Sequence, residues 1–131
     1  MNILIADDNA TIRTQIRELL TESFPAAQIS EAVDAFEAMA QLALVPSDVL
    51  LLDINMPGRT GLEVLEELKT HYPHTRVIMV SFHPEAQYAA RSLRAGARAY
   101  LNKENVPDDL VRTVKAVMNV RQDVDSDICV R

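Results

Sequence analysis

The chain has 131 residues, 48% of them hydrophobic, and a formal net charge of −6 at pH 7. This length suits one domain, because domains cluster at about 100–150 residues. Its single cysteine excludes an internal disulfide and a cysteine-rich zinc site. The acidic balance argues against non-specific binding to nucleic acid or to an anionic membrane. Since the apolar runs are far shorter than the roughly 20 residues that cross a bilayer, and the N-terminus carries acid where a signal peptide carries base, we expect a cytoplasmic protein.

Short apolar runs alternate with segments of helical periodicity. The predicted strands are Ile3–Ala6, Gln28–Ala32, Asp48–Leu52, Arg76–Val80 and Arg98–Leu101. Three of these runs, at 3–6, 49–52 and 77–80, are apolar throughout, which is typical of strands covered on both faces.

Helices are predicted between the strands. Helical spacing of Ile12, Ile16 and Leu20 indicates the first helix. Capping boxes at Asp34–Glu37 and Thr60–Glu63 open the second and third.

Two further helices, over Pro84–Ala95 and about Pro107–Val120, complete a βα pattern repeated five times. This alternation predicts an α/β fold with a five-stranded parallel sheet, right-handed crossovers and helices on both faces. We expect one domain over residues 1–121, followed by a tail or the start of a linker at 122–131.

Polar residues stand where the predicted strands end. Asp7 and Asp8 follow the first run, Asp53 the third and Ser81 the fourth, and Lys103 follows the fifth. In a parallel sheet these ends meet at one edge, where ligands bind. Three carboxylates there repel one another and should have raised pKa values unless a cation lies among them, and oxygen ligands favour a hard ion such as Mg²⁺. Taken singly, the acidic pair also suits a turn that caps a helix, and the lysine suits a solvated surface.

Together these segments resemble the receiver domain of response regulators in two-component signalling, over about residues 2–120. The resemblance rests on Ile3–Asp8, Leu51–Gly58, Val80–Ser81 and Ala99–Lys103. The segments Met79–Glu85 and Leu93–Leu101 are most similar to NarL/FixJ-type receivers, which usually carry a LuxR-type helix-turn-helix output domain. The resemblance implies a doubly wound, flavodoxin-like fold with strand order 2-1-3-4-5.

The resemblance also implies a site chemistry. Asp53 would accept a phosphoryl group from a sensor histidine kinase, and Lys103 would pair with Asp53 or its phosphate. The implied ligands of Mg²⁺, or Mn²⁺, are Asp7, Asp8, Asp53 and the backbone carbonyl of Asn55. Because neither GxxxxGK[ST] nor GxGxxG occurs, ATP is not expected to be the direct donor.

A switch is implied as well. Ser81 would bond a phosphoryl oxygen, Tyr100 would change rotamer on activation, and Asn55 and His83 would tune the lifetime of the phosphate. The change would reach a face formed by the fourth helix, fifth strand and fifth helix, and a homodimer could use that face or the first and fifth helices. This chain is too short for a helix-turn-helix, so we expect the output on another molecule or on a missing part. The resemblance to NarL/FixJ-type receivers implies a transcriptional output; the alternative is a stand-alone receiver that acts by protein–protein interaction or phosphorelay. We expect the chain itself to bind no nucleic acid and no membrane.

Two alternatives stay open at this point. A phosphatase of the haloacid-dehalogenase type also uses a nucleophilic aspartate and Mg²⁺, but it needs a second acid two residues on, where this chain has Asn55. A receiver-like binding module without phosphorylation is the other. We expect a signalling switch and not a turnover enzyme. Glu104 stands where the family usually has proline after the lysine, so a cis peptide is not assumed there and the geometry of this peptide bond stays open.

Overall fold

The computed structural model describes residues 1–82 and 86–119, with side chains given from residue 88 in the second range. Strands and helices alternate along the described chain, as predicted. The elements are β1 (Asn2–Ala6), α1 (Ala10–Ser23), β2 (Gln28–Ala32), α2 (Ala35–Leu44), β3 (Val49–Asp53), α3 (Gly61–His71), β4 (Arg76–Ser81), α4 (Ala86–Arg94), β5 (Ala99–Asn102), a 3₁₀ turn (Lys103–Asn105) and α5 (Val106–Asn119). The expected tail at 122–131 and His83 lie outside the described residues.

The sheet has five parallel strands in the order β2-β1-β3-β4-β5, which confirms the predicted fold. Its register aligns the strand ends. Ala6 of β1 lies opposite Leu52 of β3, so the next residue of each strand, Asp7 and Asp53, reaches the same level. On the other side of β3, Ser81 lies opposite Asn102, the residue before Lys103.

Both faces of the sheet are covered. One buried cluster joins the sheet to α2 and α3, and the other joins it to α1 and α5. Every residue of β3 is buried, whereas β2, at the sheet edge, alternates between exposed and covered positions. The continuous apolar runs are therefore the three central strands of the sheet, which are almost completely buried.

The helix ends follow local capping chemistry, with one correction. Thr60 and Glu63 form the predicted reciprocal capping box at the start of α3. At α2 the Asp34 side chain caps Glu37 N–H as expected, but the Glu37 carboxylate accepts from the amide of Val33. The capping box predicted at Asp34–Glu37 was wrong in that half, because the glutamate reaches back to the residue before the cap.

The described peptide bonds are all trans, the one between Lys103 and Glu104 included. None of the helices within the described ranges is both long enough and apolar enough to cross a bilayer.

Candidate functional site

The first part of the site is the turn between β1 and α1. Asp7 is buried, its amide donates to the carbonyl of Ala32 at 3.0 Å, and its Oδ1 accepts from the amide of Asn9 at 2.8 Å. Asn9 in turn caps α1 through its side chain, which accepts from two amides of the first turn. Asp8, between them, is exposed. The turn therefore presents one buried and one exposed carboxylate at the edge of the sheet.

Asp53 ends β3 beside this turn. The residue is 5% exposed, and its Oδ1 accepts from the amide of Asn55 at 3.2 Å. Carboxylate oxygens of Asp7, Asp8 and Asp53 all lie within 4.8 Å of one another. The residues that the sequence placed at separate strand ends thus form one cluster that could hold a metal ion.

Lys103 lies against this cluster. Its Nζ is 2.7 Å from Oδ2 of Asp7 and 3.4 Å from Oδ2 of Asp53, and its side chain is 5% exposed. A solvated surface lysine, the alternative open from sequence, does not describe this buried group. The shorter contact, to Asp7, was not anticipated.

The cluster perturbs the ionisation of Asp53. Burial raises the pKa of Asp53 to about 6, and the neighbouring carboxylate of Asp7 adds to the increase, while Lys103 opposes it. Desolvation and like charge both disfavour the ionised form of a carboxyl group. The raised pKa expected for crowded carboxylates is thereby found at Asp53.

Ser81 and Tyr100 lie on the two strands next to β3. Ser81 is buried at the end of β4, opposite Asn102, and Tyr100 is half-buried on β5, opposite Met79. These positions put Ser81 at the site edge and Tyr100 two pairs further back along the sheet. Their predicted switch roles stay predictions, as does the predicted role of His83.

Phe82 is a site residue that the sequence reading missed. Its ring centroid lies 5.1 Å from Nζ of Lys103, and the residue is 53% exposed. A cation within about 6 Å of a ring face is attracted by the ring quadrupole. The signal available in the sequence was position alone, since Phe82 follows Ser81 at a strand end.

Gly61 is a second missed residue. A Cβ there would lie 2.5 Å from the carbonyl oxygen of Asp53 and 2.8 Å from Cα of Ile54. The Gly61 amide also donates to the carbonyl of Ile54 at 2.6 Å. The start of α3 therefore packs directly on the backbone that carries Asp53, an approach that only glycine allows.

The donor set fits a hard divalent cation. Three ionised carboxylates against the ammonium of Lys103 leave two negative charges among these four groups. Carboxylate oxygens are the ligands that Mg²⁺ and similar ions prefer. The cluster can therefore hold such an ion and lose much of its internal repulsion.

Comparison with known proteins decides the family. The family model of the response regulator receiver domain matches residues 3–115. The chain belongs to this family. The response regulator UvrY of Escherichia coli is 30% identical over 128 residues, which are 98% of this chain and 59% of UvrY. This receiver thus spans little more than half the length of such curated relatives.

Solved structures of response regulators have the same fold as this chain. A LuxR-family DNA-binding response regulator from Staphylococcus aureus has a TM-score of 0.82 at 29% identity, covering 90% of this chain and 98% of that one. The CheX-CheY-BeF3-Mg complex from Borrelia burgdorferi has a TM-score of 0.84 at 27% identity, covering 92% and 90%. The LuxR-family neighbours confirm the predicted similarity to NarL/FixJ-type receivers.

Proposed function

We propose that Asp53 of this receiver accepts a phosphoryl group from a sensor histidine kinase, and that the domain is a switch and not a turnover enzyme. One observation carries the proposal: Asp53 lies at the carboxyl edge of the sheet with two more carboxylates within 4.8 Å and an ammonium at 3.4 Å. A nucleophilic carboxylate with cations beside it is what phosphoryl acceptance needs, because a carboxylate and a phosphoryl dianion repel each other.

The cofactor of the proposed reaction is Mg²⁺ or Mn²⁺. The residues that would hold it are Asp7, Asp8, Asp53 and the backbone carbonyl of Asn55. When bound, the ion neutralises charge on the phosphoryl oxygens and on the acids around it. The Borrelia neighbour contains Mg and BeF3 by its description, which supports this assignment.

The chain's own groups perform the transfer. Ionised Asp53 forms the bond to phosphorus as the bond to the donor's imidazole nitrogen breaks. With its pKa at about 6, Asp53 is mainly ionised at neutral pH. Lys103 supplies positive charge toward the transferred oxygens, and the buried hydroxyl of Ser81 bonds one of them. The contribution of the protein is position and charge, since the donor brings the energy.

The phosphate then biases two conformations of the domain. Ser81 and Tyr100 carry the change to the face formed by α4, β5 and α5, while Asn55 and His83 tune how long the phosphate lasts. Exposed basic side chains on this face are Arg91, Arg94, Arg112 and Lys115. Self-association uses this face or the outer faces of α1 and α5.

Transcriptional output is the proposed consequence, delivered by a part of the protein outside the receiver. Support comes from relatives of which this chain spans little more than half the length and from LuxR-family neighbours. In this scheme the receiver itself binds no nucleic acid and acts in the cytoplasm. A phosphatase of the haloacid-dehalogenase type is disfavoured, because Asn55 cannot donate a proton to a leaving group.

Intact-mass spectrometry after incubation with acetyl phosphate and Mg²⁺ tests the proposal. Wild type should gain the mass of one phosphoryl group, and Asp53→Asn, which keeps the shape of the side chain, should gain nothing. Chelation of Mg²⁺ should abolish the gain. An equal gain in Asp53→Asn would overturn the assignment, and repeated turnover of a phosphate ester would favour the phosphatase.

A further inference from the structure

An ion-pair cluster joins α1 to β2 beside the acidic turn. Arg13 and Arg17, one helical turn apart on α1, both bind the carboxylate of Glu31. Nε of Arg13 lies 2.9 Å from Oε1, and Nε of Arg17 lies 2.6 Å from Oε2. The Arg13 side chain is 15% exposed and that of Arg17 41%. These two arginines share a partner and differ in what else they touch.

Besides Glu31, each of the two arginines binds a different backbone carbonyl. Nη1 of Arg13 donates to the backbone carbonyl of Asp7 at 2.7 Å. Nη2 of Arg17 donates to the carbonyl of Ile29 at 3.0 Å, earlier along β2. Only the Arg13 contact reaches the acidic turn. The amide of Asp7 is already bound by Ala32, so Arg13 anchors the other side of the same residue.

We propose that Arg13 is a positioning residue for the metal site, holding the peptide between Asp7 and Asp8 so that both carboxylates face one cation. The inference rests on the proposed function, in which these acids bind Mg²⁺. Groups that orient metal ligands without touching the metal contribute strongly to affinity, and their loss typically weakens binding 10- to 100-fold.

The direction in which Mg²⁺ affinity changes when Arg13 is replaced distinguishes a positioning role from a purely electrostatic one. Removing a positive group near an acidic site strengthens cation binding if charge alone matters. Loss of the anchored turn weakens it. Arg13→Lys keeps the charge but cannot bridge Glu31 and the Asp7 carbonyl at once, because lysine lacks the planar fork. Arg17→Lys is the matched control: it also replaces an arginine that binds Glu31, but Arg17 makes no contact with the carbonyl of Asp7.

Titration calorimetry with Mg²⁺ on wild type, R13K and R17K tests this, alongside urea unfolding and amide nitrogen–proton NMR of Asp7 and Asp8. R13K should bind Mg²⁺ about tenfold more weakly, with shifted amide signals of the turn before Mg²⁺ is added. R17K should bind as wild type does, with a similar loss of stability. Arg13→Gln, which removes the charge, should also bind more weakly, and it serves if R13K does not fold.

Equal affinity of R13K, R17K and wild type for Mg²⁺, or tighter binding by Arg13→Gln, overturns the positioning role and leaves the proposed function standing. Failure of wild type to bind Mg²⁺ overturns both.

Discussion

The ammonium of Lys103 lies closer to the carboxylate of Asp7, at 2.7 Å, than to that of the proposed acceptor Asp53, at 3.4 Å. Lys103 therefore offsets charge on a proposed metal ligand and on the acceptor together. Because all three side chains are nearly buried, each ionised group depends on the others for its stability. The stability of the site therefore depends on the balance between the cost of desolvating these charges and the contacts among them.

Replacing Lys103 by methionine should destabilise the metal-free protein by about 3 kcal/mol, the lower end of the range for a broken buried ion pair. Asp7 and Asp53 would lose their cation, while the shape of the side chain is largely kept. Urea unfolding measures the loss, and added Mg²⁺ should recover part of it. Lys115→Met, on the exposed surface of α5, is the control and should change stability little. A Lys103→Met protein as stable as that control would show that the contacts contribute nothing.

The raised pKa of Asp53 makes metal-free stability depend on pH. The folded state holds this proton up to about pH 6, whereas the ordinary pKa of an aspartate, expected in the unfolded chain, is 3.8. The folded state thus binds more protons between these values, so the free energy of unfolding should fall as pH rises from about 4 to about 6 and level off above. The total decrease due to Asp53 is on the order of 3 kcal/mol, at 1.36 kcal/mol per pKa unit.

Urea unfolding at several pH values, in the presence of a chelator, measures this dependence. Asp53→Asn should lack this part of the pH dependence and be more stable than wild type at neutral pH. Added Mg²⁺ should raise the melting temperature of wild type more than that of the variant. A wild type whose pH profile matches that of Asp53→Asn would contradict the burial effect on this pKa.

Phe82→Leu should remove the cation–π interaction with Lys103 and cost about 0.5–1 kcal/mol, because leucine covers similar apolar surface without a ring quadrupole. A double-mutant cycle with Lys103→Met isolates the coupling between the two side chains. Phe82→Tyr retains the ring and should couple as phenylalanine does. If the cycle gives no coupling energy, the 5.1 Å approach of ring and ammonium is incidental.

Gly61→Ala should destabilise the protein by about 1–3 kcal/mol, the usual cost of overpacking, since its Cβ would lie 2.5 Å from the Asp53 carbonyl. Because the new Cβ would push the backbone of Asp53 out of place, phosphorylation by acetyl phosphate should also be slower. Gly58→Ala is a matched control: its φ of +90° is strained for alanine, but its Cβ would meet nothing within 4 Å. It should therefore lose stability without a comparable loss of phosphorylation rate beyond that due to unfolding. Equal phosphorylation rates in Gly61→Ala and Gly58→Ala would argue against steric displacement of Asp53 by the Cβ at position 61.

Much of the fold followed from local pattern. Three continuous apolar runs identified the central strands, because a strand covered on both faces has no polar side to alternate with. The βα alternation predicted the parallel sheet, and the positions of the strand ends predicted that Asp7, Asp8, Asp53 and Lys103 meet at one edge.

The sequence by itself determined which residues reach the carboxyl edge of this sheet, since strand periodicity and parallel topology are properties of the chain. Only the tertiary structure decided how they pair there. The preference of Lys103 for Asp7, the ring of Phe82 over its ammonium and the hold of Arg13 on the Asp7 carbonyl join residues from different elements. Their distances depend on register and side-chain packing between those elements, and no local pattern specifies either.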